Sequence, residues 1–180
     1  MNFALDSLLL DMQLDIDWIE ILSNLTSLGI AYLLAFPIGW ERERRGRSAG
    51  LRTFPLVSVA TCGYMLIGIS VFPQDEAQAR VTQGLLAGIG FIGGGAILKN
   101  NQNVHGLATA SAIWSTGAIG IAAAFRRIEI ALLLMILTFF TLRLLEPFKA
   151  RIHNRHTASM SSDISSSHKS STGVSKSHDD

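Results

Sequence analysis

Residues Leu107–Phe125 read LATASAIWSTGAIGIAAAF, nineteen in a row without a charge. A hydrocarbon core about 30 Å thick needs about 20 apolar residues in helix, so this stretch has the length of a membrane crossing. Two more uncharged runs of nineteen precede it, Ile21–Gly39 and Phe54–Phe72. A further run, Ile130–Leu145, holds one charge, Arg143, near its end. Soluble buried helices show a polar face every third or fourth residue; Ala131–Leu137 shows none. The remaining run, Gly84–Leu98, has fifteen residues, about 22 Å at 1.5 Å per residue. It must borrow the turn Arg80–Gln83 or sit in a thinned bilayer. The pattern predicts an all-α polytopic membrane bundle of about five transmembrane helices. Four, with the third span re-entrant, is the alternative.

Composition points the same way. Of 180 residues, 48% are hydrophobic and 16% charged, with a mean hydropathy of +0.34, against about 25% charge in soluble domains. This excludes a disordered chain and a highly basic nucleic-acid binder, and the single Cys62 excludes an internal disulfide. The expected organisation is an interfacial N-terminal segment over 1–20, a transmembrane domain over 21–150 and a disordered tail over 151–180. The first carries acids and no Lys or Arg, unlike a cleavable signal. The last holds ten serines between 157 and 180. Trp18 and Trp40 stand 22 residues apart, about 33 Å in helix, as expected of interfacial anchors.

Lys and Arg set the orientation. With five spans, one side holds Arg80, Arg126 and Arg127, while the other holds eleven basic residues, five of them in loop 40–53. Positive charge stays inside, so the C-terminus is expected in the cytoplasm and the N-terminus on the outer side of the membrane.

Loop 40–53 reads WERERRGRSAGLRT. Its arginines favour anionic headgroups at roughly 1 kcal/mol each, which a topology signal alone would explain. Glu41 and Glu43 go beyond that, because a lipid anchor gains nothing from carboxylates. Glu41 and Arg45 have the spacing and order of a helical ion pair, and Gly46 and Gly50 allow tight turns. The loop reads as either a structured ion-pair element or a plain anchor, with Glu41, Arg42, Glu43, Arg45, Gly50, Arg52 and Thr53 as its candidate functional residues.

The third run contains Gly88, Gly90, Gly93, Gly94 and Gly95. A formal G-x-G-x-x-G lies there, but no strand precedes it and no acid follows until Glu129, so a dinucleotide site is rejected. The glycine spacing suits close helix contact in lipid; a local break lining a cavity is the rival. The fourth run offers Thr109, Ser111, Trp114 and Ser115 beside small residues, a face expected to pack on the glycines or, alternatively, to line a polar path. Joined by the short loop Asn100–Gly106, the two spans should be antiparallel neighbours. No acid, lysine or histidine lies deep in a span, which counts against an ion-coupled carrier. No catalytic or zinc-type constellation is present. The expectation is a non-enzymatic module without cofactor, metal or nucleic acid, whose partners are the lipid bilayer and another membrane protein or itself. A transporter or channel for magnesium or another small solute is the rival.

Four ordered blocks carry a resemblance. They are Gly39-Trp40-Glu41-Arg42-Glu43 running into Arg45–Thr53, then Arg80-Val81, then Gly88–Leu98, then Val104–Ala110 with Trp114. Together they resemble the MgtC/SapB family over about residues 20–145. The resemblance implies a bacterial inner-membrane protein of about five spans, linked to magnesium homeostasis, to stress or virulence adaptation, and to modulation of other membrane machines. It also adds Arg80 to the candidate residues. Arg44 stands where the family usually has an apolar residue and Ser48 where proline is common. The serine-rich tail, in place of a folded cytoplasmic domain, implies a short form of the family.

Overall fold

The computed structural model describes residues 17–47, 49–100 and 103–144. Among them are five helices and one hairpin: α1 Trp18–Arg44, α2 Thr53–Val71, α3 Asp75–Gly95, β1 Leu98–Asn100, β2 Asn103–His105, α4 Leu107–Ala124 and α5 Ile128–Leu144. The chain divides into two compact units, Met1–Phe139 and Phe140–Asp180. The second contributes only the last turn of α5 to the described residues, and the helical bundle is the first. The expected tail and most of the expected N-terminal segment lie outside the described residues.

Helices α1, α2 and α4 are long and apolar enough to cross a membrane. The other two differ from them for legible reasons. α3 opens on Asp75, Glu76, Gln78 and Arg80, and α5 has 17 residues. The boundary expected at residue 20 falls inside α1, because the Asp17 carboxylate accepts hydrogen bonds from the Ile19 and Glu20 N–H groups at 2.9 and 3.4 Å and starts the helix there. Loop 40–53 is likewise shorter than expected, since Trp40–Arg44 form the last turn of α1. Asp75, Glu76 and Arg80 form the first turns of α3, where acids complement the helix dipole. Where a loop is expected over Asn100–Gly106, Leu98–Asn100 and Asn103–His105 pair as antiparallel strands, with Leu98 opposite His105 and Asn100 opposite Asn103. Gly106 ends it at φ +91°, with its α-carbon facing the Ala96 carbonyl at a distance that leaves no room for a Cβ.

Helix α4 is the centre of the bundle, touching α1, α2 and α3 and burying Thr109, Ala112, Ile113, Thr116, Gly117, Ile119, Gly120 and Ala122–Ala124. Ala31, Cys62, Met65, Ala123 and Ala124 form one core cluster from α1, α2 and α4. Lipid supplies no hydrophobic drive for association, so backbones must approach closely. Gly120 does this best: a Cβ there would collide with the Ser58 carbonyl and approach Thr61 and the Cys62 nitrogen of α2 within 3.0–3.1 Å. Helix α5 is peripheral. It buries only Ala131 and bonds α4 through the Ser115 and Thr138 hydroxyls. Tyr32, Phe36 and Trp40 form an aromatic ladder on α1, with ring centroids 6.4 and 6.0 Å apart and all three rings exposed.

Helix α4 ends in a Schellman arrangement. Arg126 N–H donates to the Ala123 carbonyl and Arg127 N–H to the Ala122 carbonyl, with Arg126 at φ +58°. Glycine is the usual residue at this position. Here an arginine occupies it, and its guanidinium reaches the Ser23 hydroxyl of α1. Arg126→Gly is expected to be more stable than Arg126→Ala by about 1 kcal/mol, since both lose the tie to Ser23 and only alanine keeps the left-handed strain. Thermal unfolding in detergent checks the order; alanine equal to or above glycine contradicts it.

Candidate functional site

The arginine-bearing end of the bundle gathers the last turn of α1, the connection 45–52, the starts of α2 and α4 and the end of α3. Helix α1 closes in a second Schellman motif: Gly46 N–H donates to the Glu43 carbonyl and Arg47 N–H to the Arg42 carbonyl. Gly46, at φ +62°, supplies the left-handed turn expected of it. Gly50 serves differently. Its φ is ordinary, and its missing side chain makes room for the Glu43 carboxylate, which accepts the Leu51 N–H at 3.1 Å. Gly39 faces the Gly50 carbonyl and the Leu51 Cα at 3.1–3.2 Å from where its Cβ would be, so the connection lies directly on α1.

Two charged side chains here are buried. Glu41 is 4% exposed and Arg42 3%. Glu41 accepts both Arg45 Nε, at 2.7 Å, and the Arg45 terminal nitrogen, at 2.6 Å. The ion pair anticipated from the spacing is therefore present, on a helical last turn rather than in a loop. Arg42 reaches across the bundle and donates to Thr109 Oγ1 in the first turn of α4 at 2.5 Å. Burial, and after it the positive charges of Arg47 and Arg45, work against the charge on Arg42, while Glu41 works for it. The Arg42 Nε is buried without a hydrogen-bond partner.

The candidates thus divide. Glu41, Arg42, Glu43, Arg45, Gly50 and Thr109 share one assembly, and Thr53 begins α2 with its N–H on the Gly50 carbonyl at 3.1 Å. Arg52 is exposed, and so is Arg80, which lies on the opening turns of α3 away from this end. Ser111 and Thr116 donate to carbonyls of their own helix, Leu107 and Ala112, at 3.0 and 2.7 Å.

The glycine face needs correction. Helix α3 runs unbroken through Gly84–Gly95, so no local break opens. A Cβ built at Gly93 would stand 3.4 Å from the Ala110 carbonyl oxygen and one at Gly90 3.8 Å from the Trp114 indole nitrogen, so α3 lies beside α4. Gly84, Gly88, Gly94 and Gly95 have nothing within 4 Å of a built Cβ. A side chain at Gly94 therefore has room, contrary to the close contact expected there. α4 uses its own glycines instead, Gly117 against Ile89 and Gly120 against α2. Gly120 is absent from the residues singled out in the sequence; the three-residue spacing Gly117–Gly120 was the available signal.

Among the described residues no group of three or more His, Cys, Asp or Glu side chains is placed to hold a metal ion.

Known proteins share this sequence pattern. The chain is 36% identical over 146 residues to the protein SrpB of Synechococcus elongatus, covering 74% of this chain and 77% of that one. It is 38% identical over 104 residues to the protein MgtC of Brucella abortus, covering 58% of this chain and 43% of that protein. It is 32% identical over 134 residues to an Escherichia coli K12 protein named "Putative magnesium transporter YhiD", covering 71% and 62%. The match therefore spans less than half of the Brucella MgtC and under two thirds of YhiD. No solved structure matches the chain. The family model described as MgtC family matches residues 28–151, which takes in the described helices from the third turn of α1 onward, and the chain is a helical membrane protein belonging to the MgtC family.

Proposed function

We propose that the protein is a non-enzymatic module of the bacterial inner membrane, serving magnesium homeostasis or stress adaptation through contacts with another membrane protein or with itself. In this reading all five helices cross the bilayer, with the arginine end in the cytoplasm as the charge distribution requires. The carrying observation is where the polar groups go. The carboxylates Glu41 and Glu43 are engaged by Arg45 and the Leu51 N–H, and the hydroxyls of Ser111 and Thr116 bond their own helix. These groups build and hold an end structure. They do not present a row of free oxygens along the bundle, as a cation path would need. The link to magnesium rests on family membership and on the name of the relative YhiD.

That name favours a second reading, transport of magnesium. Purified protein in liposomes loaded with a magnesium-sensitive dye separates the two. The module reading expects no flux above that of empty liposomes; saturable, protein-dependent magnesium entry replaces it with the transporter.

A further inference from the structure

The partnering of Arg42 is unequal to its burial. A guanidinium has five donors, and this one, 3% exposed, has a neutral hydroxyl, Thr109 Oγ1, as its acceptor and an Nε with none. Buried charges are normally paired with an opposite charge. The two nearby carboxylates are held elsewhere, Glu41 on Arg45 and Glu43 on the Leu51 N–H against Gly50. The charges of Arg47 and Arg45 act against that of Arg42, and the Glu41 charge, itself bonded to Arg45, acts for it. The contact with Thr109 also places the guanidinium at the first turn of α4, an 18-residue helix whose N-cap, Gly106, gives no side-chain hydrogen bond. The first N–H in this helix to find a backbone acceptor is that of Ala110, on the Gly106 carbonyl. The N–H groups before it are the type of donor that holds phosphate at helix starts. Planar guanidinium donors match phosphate oxygens two at a time.

We propose that Arg42, Thr109 and the uncapped start of α4 form a phosphate-recognition site, in which Arg42 binds the anion and Thr109 holds its guanidinium in place. The ligand class is a phosphate monoester or inorganic phosphate, free or carried as a lipid headgroup. The inference does not depend on whether the protein acts as a module or a transporter, so neither liposome outcome decides it.

The test uses the full chain in nanodiscs, followed by thermal unfolding through tryptophan fluorescence. One arm uses phosphatidylcholine discs titrated with inorganic phosphate against chloride at matched ionic strength. The other replaces added phosphate with a rising fraction of phosphatidic acid in the discs. The expected result is a saturable rise in midpoint, about 3 °C at ten times the half-saturating level. A rise in the first arm assigns free phosphate, and a rise only in the second assigns a headgroup. Either rise should vanish in Arg42→Gln and persist in Arg44→Gln, whose arginine is exposed. No saturable rise in either arm overturns the proposal, as does an equal rise in Arg42→Gln. Should Arg42→Gln fail to accumulate, Thr109→Val decides instead. It keeps the shape but not the acceptor, and should raise the half-saturating level severalfold; an unchanged level overturns the proposal.

Discussion

Gly120→Ala is expected to destabilise the bundle by roughly 3 kcal/mol, at the upper end of overpacking penalties. The size follows from what the new methyl group would meet. Its neighbours are the Ser58 carbonyl and Cys62 nitrogen of α2, backbone atoms that no rotamer change can move. The two helices must separate, and in lipid nothing but close contact holds them together. Gly94→Ala makes the same chemical change on α3 where nothing lies within 4 Å. There the substitution should be neutral or stabilising by up to about 1 kcal/mol, because alanine is the better helix former. Unfolding of both variants in mild detergent, read as midpoint and as folded yield, gives the comparison. Similar losses at the two positions would show that the α2–α4 approach is not what stabilises the bundle.

The second large effect is expected at Glu41. Removing one partner of a fully buried pair costs about 3–5 kcal/mol. The Arg45 side chain is 29% exposed, so water relieves part of that cost, and Glu41→Ala should destabilise by about 2–3 kcal/mol. It also removes the negative charge that favours ionised Arg42. Glu41→Ala/Arg45→Ala should be no worse than Glu41→Ala alone, since the other member of the pair is gone as well. A double-mutant cycle measures this directly. Additive losses would mean that the two residues act separately, on lipid or on a partner, and that the ion pair has no structural role.

Much of the architecture could be read in the sequence. Uncharged runs of nineteen have one solution in a hydrocarbon slab, because an unbonded backbone in lipid is too costly. Helices α1, α2 and α4 lie where those runs predict. The Glu41–Arg45 pair was readable for a similar reason: four residues apart on a helix is a local relation, independent of every other element. The Gly46 turn is local too. Boundaries were less legible where polar residues continue a helix beyond its apolar part, as at Trp40–Arg44 and Asp75–Gln83, because hydropathy marks where lipid begins and not where hydrogen bonding ends.

Only the tertiary structure decided which small residues touch. Nothing local distinguishes Gly93, packed on Ala110, from Gly94, which faces open space, since they differ only by the roughly 100° of helix rotation between neighbours and by where α4 happens to cross. The same holds for Gly120 on α2 and for Arg42 on Thr109, 67 residues apart. Composition and periodicity determined that this chain crosses a membrane as helices, because solvation of the backbone and side chains is a property of each segment alone. Which glycines are indispensable, and which arginine is buried against a neutral hydroxyl, depended on how the helices pack, because a close approach is a property of two segments at once.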